Sequence, residues 1–248
     1  MKTYIGKDKD DMALKAAACA AEHIRKAIAE RGEARIIVAT GANQFEFLNA
    51  LVNEPDIDWT KVTGFHLDEY VGLSVEHPAS FRNYMRKRFV AKTPQPMKVF
   101  NEVNGEAAEP QAEIDRLEAL IRTSPIDVAC VGIGENGHLA FNDPPADFET
   151  KEAYIIVNLD ERCKQQQLGE GWFSTINDVP KQAVSMTPHQ IMQCERIVSC
   201  VPYAVKAEAV ENTVKAKATT NMVPATLLKE HKDFILYLDE DSAAGILK

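Results

Sequence analysis

The sequence predicts an α/β protein, a single doubly wound domain over residues 1–248 with a mainly parallel sheet. Three observations predict it. Short β-branched runs alternate with helical patterns along most of the chain. Several runs are apolar almost without interruption, as strands covered on both faces are. The 248 residues, 45% of them apolar, contain no internal repeat, low-complexity tract or long Pro/Gly/Ser linker. That supports one large core, and right-handed crossovers then wind the chain about one sheet.

The elements follow in order. Residues 11–30 are rich in Ala, Lys and Glu with apolar positions at helical spacing, a helix. ARIIVAT at 34–40 is the first strand, and 44–52 reads as a helix. Residues 62–67 form a second strand, 79–90 a helix and 97–100 a short strand. EIDRLEALI lies in a helix over 109–122, and IDVACVG is a third buried strand at 126–132. Strands follow at 154–159, 183–186, 196–201 and 234–238, with helices at 161–168 and 204–217 between them. Trp172 and Phe173, beyond the helix at 161–168, read as core rather than lid.

Composition excludes several classes. With 28 Lys+Arg against 37 Asp+Glu the formal net charge is -9, so a nucleic-acid partner, which needs a basic patch, is not expected. The N-terminus carries acids throughout, unlike a signal peptide. No apolar run approaches the ~20 residues of a membrane span. The five cysteines, Cys19, Cys130, Cys163, Cys194 and Cys200, show no C-x-x-C pair, which points to a reducing, cytoplasmic setting.

Ligands of doubly wound sheets bind beyond the carboxyl ends of the strands, and three segments stand out there. The first is Thr40-Gly41-Ala42-Asn43-Gln44. A glycine in a strand-to-helix turn lets backbone N–H groups face an anion; Asn43 either adds a donor or caps the helix. The second is HLDEYVGL, with adjacent Asp68 and Glu69 at a strand end. One is a candidate base; the alternative is a helix cap beside a solvated acid. The third is GIGENGHLAFNDPP at 132–145, with three glycines, then His138, then Asn142-Asp143. The glycines permit close approach of a ligand, and Pro144 and Pro145 exclude the helix that a dinucleotide fingerprint needs.

LDEYVGL together with GIGENGHLAFNDP, with the TG turn upstream, resembles the glucosamine-6-phosphate deaminase (isomerase) family. That family has a Rossmann-like α/β domain. It converts glucosamine 6-phosphate and water to fructose 6-phosphate and ammonia without metal or organic cofactor. The resemblance implies Asp68 as the base moving a proton between C2 and C1, and His138 as the group that opens the sugar ring. Asn136 and Asp143 would flank that imidazole and fix its tautomer. Phosphate and substrate binding would fall to Thr40, Gly41, Ala42, Asn43, Gly137 and Lys206. The expected partner is an amino-sugar phosphate, with neither nucleic acid nor membrane; relatives occur both as monomers and as hexamers.

The chain departs from well-studied members at three positions. Asn136 stands for Asp and Asp143 for Glu; a phosphate-binding Arg would fall near Gln167, with Arg162 or Lys164 as substitutes. The segment after Asp143 lacks the basic residues of allosteric members, so no activation by N-acetylglucosamine 6-phosphate is expected. Galactosamine 6-phosphate suits the same proton chemistry. A 6-phosphogluconolactonase shares the fold but lacks D-E-Y-V-G-L. A non-enzymatic sugar-phosphate sensor would need a DNA-binding segment ahead of the first strand and no reason to keep both Asp68 and His138.

Overall fold

The computed structural model describes residues 1–159, 161–169 and 171–247. In chain order the elements are β1 (Lys2–Gly6), α1 (Lys9–Arg31), β2 (Ala34–Val38), α2 (Phe45–Val52), β3 (Val62–His66), β4 (Asp68–Tyr70), α3 (Phe81–Arg88), β5 (Val99–Asn101) and α4 (Pro110–Ile121). They continue as β6 (Val128–Val131), β7 (Tyr154–Asn158), α5 (Glu161–Gly169), β8 (Gln182–Met186), α6 (Pro188–Met192), β9 (Arg196–Val201), α7 (Ala207–Lys215) and β10 (Phe234–Asp239).

Seven strands form one sheet in the order β1-β10-β9-β6-β2-β3-β5, every pair parallel. The doubly wound prediction holds. From β2 the chain winds outward through β3 to β5, then returns to lay β6 on the other side of β2. The strand order therefore reverses between β2 and β6, where such sheets open a crevice.

Separate apolar clusters cover the two faces of this sheet. On one face α1 turns Ala13, Ala16, Ala17, Ala20, Ala21 and Ile24 inward, and its small side chains let the helix lie close on the strands. Asp8 caps its start by accepting from the Asp11 N–H at 2.8 Å, and Gly32 ends it at φ +80°. No described helix is long and apolar enough to cross a membrane.

Two sequence expectations need correction. The first strand is β1, not the run at 34–40; it pairs with β10 at the sheet edge, where it is half exposed and carries too little apolar signal to read. Strands β7 and β8 do not join the parallel sheet. They pair antiparallel with each other, and β8 pairs antiparallel with β4, forming a small second sheet. The burial of β7 alternates along its length, as an antiparallel strand with one wet face requires. Phe173 is buried in an apolar cluster with Tyr70 and Phe141, and Trp172 packs against it, so the core expectation holds.

Candidate active site

A cleft of about 850 Å³, counted with its open mouth, lies over the carboxyl ends of β2 and β6. Its walls come from the turn after β2, the start of β4, the loop after β6, α5 and the turn after β9. The three segments picked out in the sequence thus meet in one crevice, as the strand reversal dictates.

The turn after β2 contributes Thr40, Gly41, Ala42 and Asn43. Gly41 adopts φ +114°, and a Cβ there would stand 2.7 Å from Asn43 Oδ1. Residues 42–44 form a 3-10 turn ahead of α2 without a side-chain cap, so Asn43 does not cap the helix. Its amide instead lies against Gly132, where an added Cβ would meet Asn43 Nδ2 at 2.6 Å. Glycine at 132 is what lets the two loops touch.

The adjacent carboxylates of β4 separate in role. Glu69 faces inward and is fully buried. It accepts from Ser80 Oγ at 2.8 Å, from the N–H groups of Phe81 and Arg82 at 3.1 and 2.8 Å, and from Arg82 Nε at 3.3 Å. These are the first donors of α3, so Glu69 secures the start of that helix. Asp68 turns the other way and lines the cleft. Its Oδ1 is buried with no hydrogen-bond partner among the described residues. Burial, then the nearby charge of Glu69, pushes its carboxyl well above the usual carboxylate range.

The loop after β6 folds back on itself. Gly137 donates to Gly134 O at 3.0 Å with φ +84°, and Gly134 N donates to His138 O at 3.0 Å. A Cβ on Gly134 would run into the His138 ring, so glycine there makes the room the imidazole occupies. His138 Nδ1 lies 3.0 Å from Asp143 Oδ1, and its backbone N–H donates to Asn136 Oδ1 at 3.0 Å. Asn136 Nδ2 also donates to Asp143 Oδ1, at 2.8 Å. Burial alone would raise the pKa of Asp143, but the hydrogen bonds from His138 and Asn136 outweigh it and hold the carboxyl below its ordinary range. An ionised Asp143 keeps the proton on Nδ1 and presents Nε2 to the cleft. The loop is anchored from behind: Phe141 N–H donates to Ser185 Oγ at 3.0 Å, and Asn142 Nδ2 to Met186 O at 2.8 Å.

Lys206 sits in a 3-10 turn after β9, buried to 6% exposure, with Nζ 3.9 Å from Glu135 Oε1. It is the one Lys or Arg among the described residues lining the cleft. Gln167 on α5 also lines it, and its Oε1 accepts from Tyr70 Oη–H at 2.6 Å. Lys164 pairs with Glu161 at 2.8 Å and is not on the cleft wall, so it does not stand in for an arginine there. The Arg162 side chain lies outside the described residues.

Asp68, His138, Thr40, Gly41, Ala42, Asn43 and Lys206 therefore share the cleft. Asn136 and Asp143 stand behind His138. Gly137 also stands one layer back: its carbonyl accepts from Ala225 N–H at 2.8 Å and Val223 packs against its Cα, so it shapes the turn rather than lining the cleft. Sequence reasoning missed Phe81 and Tyr203. Tyr203 was findable, since it lies two residues beyond the carboxyl end of β9. Phe81 was not, because α3 reaches the cleft only through the fold of the β4 region.

Residues 7–236 match the family described as glucosamine-6-phosphate isomerases/6-phosphogluconolactonase. A glucosamine-6-phosphate deaminase of Streptococcus pyogenes serotype M1 is 37% identical over 217 residues, covering 87% of this chain and 89% of that one. One from Streptococcus equi subsp. zooepidemicus is 35% identical over 224 residues, covering 90% and 92%. Among solved structures, a monomeric glucosamine-6-phosphate deaminase superposes with a TM-score of 0.88 at 28% identity, covering 99% of this chain and 100% of that one. A 6-phosphogluconolactonase from Trypanosoma brucei shares the fold, with a TM-score of 0.78 at 15% identity and coverage of 99% and 98%. Signature segments, cleft geometry and these matches agree: the chain belongs to the glucosamine-6-phosphate isomerase/6-phosphogluconolactonase family.

Proposed function

We propose that this protein is an amino-sugar phosphate deaminase that converts glucosamine 6-phosphate and water to fructose 6-phosphate and ammonia. The relatives at 35–37% identity carry the deaminase name. The observation that carries the reading is Asp68, a buried carboxyl with an unpartnered oxygen in the same cleft as His138. Ester hydrolysis of a lactone gives such a group no carbon-bound proton to move.

The phosphate binds at the turn 40–43, where N–H groups at a strand-to-helix turn favour an anion, with Lys206 supplying the cation. His138 Nε2 moves the anomeric proton from O1 to the ring oxygen and so opens the sugar; Asp143 holds the ring in the tautomer this needs. Asp68 then takes the proton from C2 and returns it to C1. As C1 becomes an alcohol, O1 gains a proton and the C2 amine gives one up to become an imine, so the proton count is conserved. Water adds at C2, ammonia leaves, and the ketone of fructose 6-phosphate remains. Burial suits Asp68 to this step, because a carboxylate stripped of water is a stronger base. A cytoplasmic setting fits the five cysteines, none of which forms a disulfide among the described residues.

The test is ammonia release from glucosamine 6-phosphate and galactosamine 6-phosphate, beside hydrolysis of 6-phosphogluconolactone. Release from glucosamine 6-phosphate with no lactone hydrolysis is expected. Hydrolysis of the lactone without ammonia from either sugar would overturn the proposal, and a preference for the galacto epimer would move the substrate assignment.

A further inference from the structure

Tyr203 occupies a backbone conformation at odds with its side chain. Its φ is +81° and its ψ +142°, a combination glycine enters freely and a residue with a Cβ resists. Strain of this kind persists where surrounding contacts over-determine the residue, and it gathers at functional sites. The contacts are on both ends of Tyr203. Its N–H donates to Asp239 Oδ2 at 2.9 Å. Its phenol donates to Glu46, lying 3.0 and 3.2 Å from the two carboxylate oxygens. Glu46 is in the first turn of α2, two residues beyond the 3-10 turn that follows Gly41. Lys9 pairs with the same carboxylate and lies 5.6 Å from the centre of the tyrosine ring. The Tyr203 carbonyl accepts from the Lys206 N–H at 3.0 Å, closing the turn that carries Lys206.

We infer that Tyr203 is a positioning residue for the phosphate end of the cleft: its phenol ties the lysine-bearing turn after β9 to the anion-binding turn after β2. This rests on the reading of Lys206 and residues 40–43 as the phosphate site. The two turns arise from strands separated by β6 in the sheet. They hold one anion only if their spacing is kept, and the Tyr203–Glu46 hydrogen bond spans them. The backbone strain is the cost of placing a phenol where the backbone alone asks for glycine.

Two variants separate this role from a merely structural one. Tyr203→Phe removes only the hydroxyl. It should raise KM for the sugar phosphate about fivefold or more, the effect of one hydrogen bond to a charged group. The inhibition constant of inorganic phosphate should rise by a similar factor while kcat stays within about twofold. Tyr203→Gly relieves the strain, so its thermal midpoint should match or exceed the parent's although phosphate inhibition weakens. A residue needed only for folding would show the reverse, a lower midpoint with unchanged phosphate affinity, and that result would overturn the inference. So would a Tyr203→Phe enzyme with unaltered KM and phosphate inhibition. Lys206→Ala is the control on the underlying reading. If it weakens phosphate inhibition and Tyr203→Phe does not, this inference alone fails; if Lys206→Ala has no effect on phosphate inhibition, the phosphate site is elsewhere and both fail.

Discussion

The two sides of the cleft that hold its catalytic groups are built on opposite electrostatic plans. On the loop after β6 the acid is tied down: Asp143 accepts from Asn136 and faces His138 Nδ1, and its carboxyl is held below the ordinary range. On β4 the acid lacks such donors: each carboxyl keeps one buried oxygen without a partner, Asp68 Oδ1 and Asp143 Oδ2, but no hydrogen bond among the described residues reaches the Asp68 carboxyl, and it is pushed well above that range. One carboxylate is stabilised so that it never takes the proton of the imidazole it orients. The other is destabilised so that it will take a proton from carbon. Environments that drive two carboxyl groups apart in this way give them different roles, here one that orients the imidazole and one that takes a proton itself.

The largest way to sharpen that contrast is Asp68→Asn. Turnover should fall about 10³-fold or more, within the range expected for a general base, while sugar-phosphate binding stays within a few-fold. Measurable ammonia release near the parental rate would remove Asp68 from the mechanism. The sign of its stability effect is also set. The folded carboxyl titrates above its unfolded value, so its favourable contribution is present in acid and lost as the pH rises through the raised value. Asp68→Asn should therefore melt higher than the parent at neutral pH, with the gain vanishing in acid. In the parent, the acid limb of kcat/KM should fall above the ordinary carboxylate range; a limb near pH 4, where a free carboxylate titrates, would contradict the raised value.

Next in size is Glu69→Ala, one residue away. It removes the acceptor of the α3 donors and leaves buried Arg82 short of a partner, so it should cost about 3 kcal/mol of stability in denaturant unfolding. A variant as stable as the parent would show that Glu69 is not the anchor of α3.

Asp143→Ala should lower kcat about 10²-fold, as loss of the group that orients a working imidazole does. Its stability effect should have the opposite sign to that of Asp68→Asn. The depressed carboxyl stabilises the fold above its unfolded value and stops doing so as the pH falls through the folded one. Asp143→Ala should melt lower at neutral pH and converge with the parent in acid. Equal signs for the two variants would break the comparison. Smallest is Lys206→Ala, expected to raise KM about tenfold with the fold intact by circular dichroism, since Coulombic grip on phosphate is one contribution beside the turn amides. An unchanged KM would make Lys206 a bystander.

Much of this site was legible one residue at a time. Gly134, His138 and Asp143 are close in the chain, and a loop that short brings them together whatever the rest of the molecule does. The choice between Asp68 and Glu69 was not legible in the local pattern; only the family resemblance picked out Asp68. Alternation along β4 sends one to the cleft and one to α3, but which face is which depends on the pairing of β4 with β8 over a hundred residues away. β1 was invisible because an edge strand of five residues carries little apolar pattern, and β7 was misplaced because the pattern of a strand does not name its partner.

By itself the sequence determined the alternation of strand and helix, the glycines that let two loops approach, and the chemical groups on offer; these depend on neighbours in the chain. Tertiary structure alone decided the field around each carboxyl, the meeting of Tyr203 with Glu46 and the second sheet beneath Asp68. The reason is physical: desolvation, charge–charge energy and strand pairing all depend on distances between segments remote in the chain, and no local pattern encodes those distances.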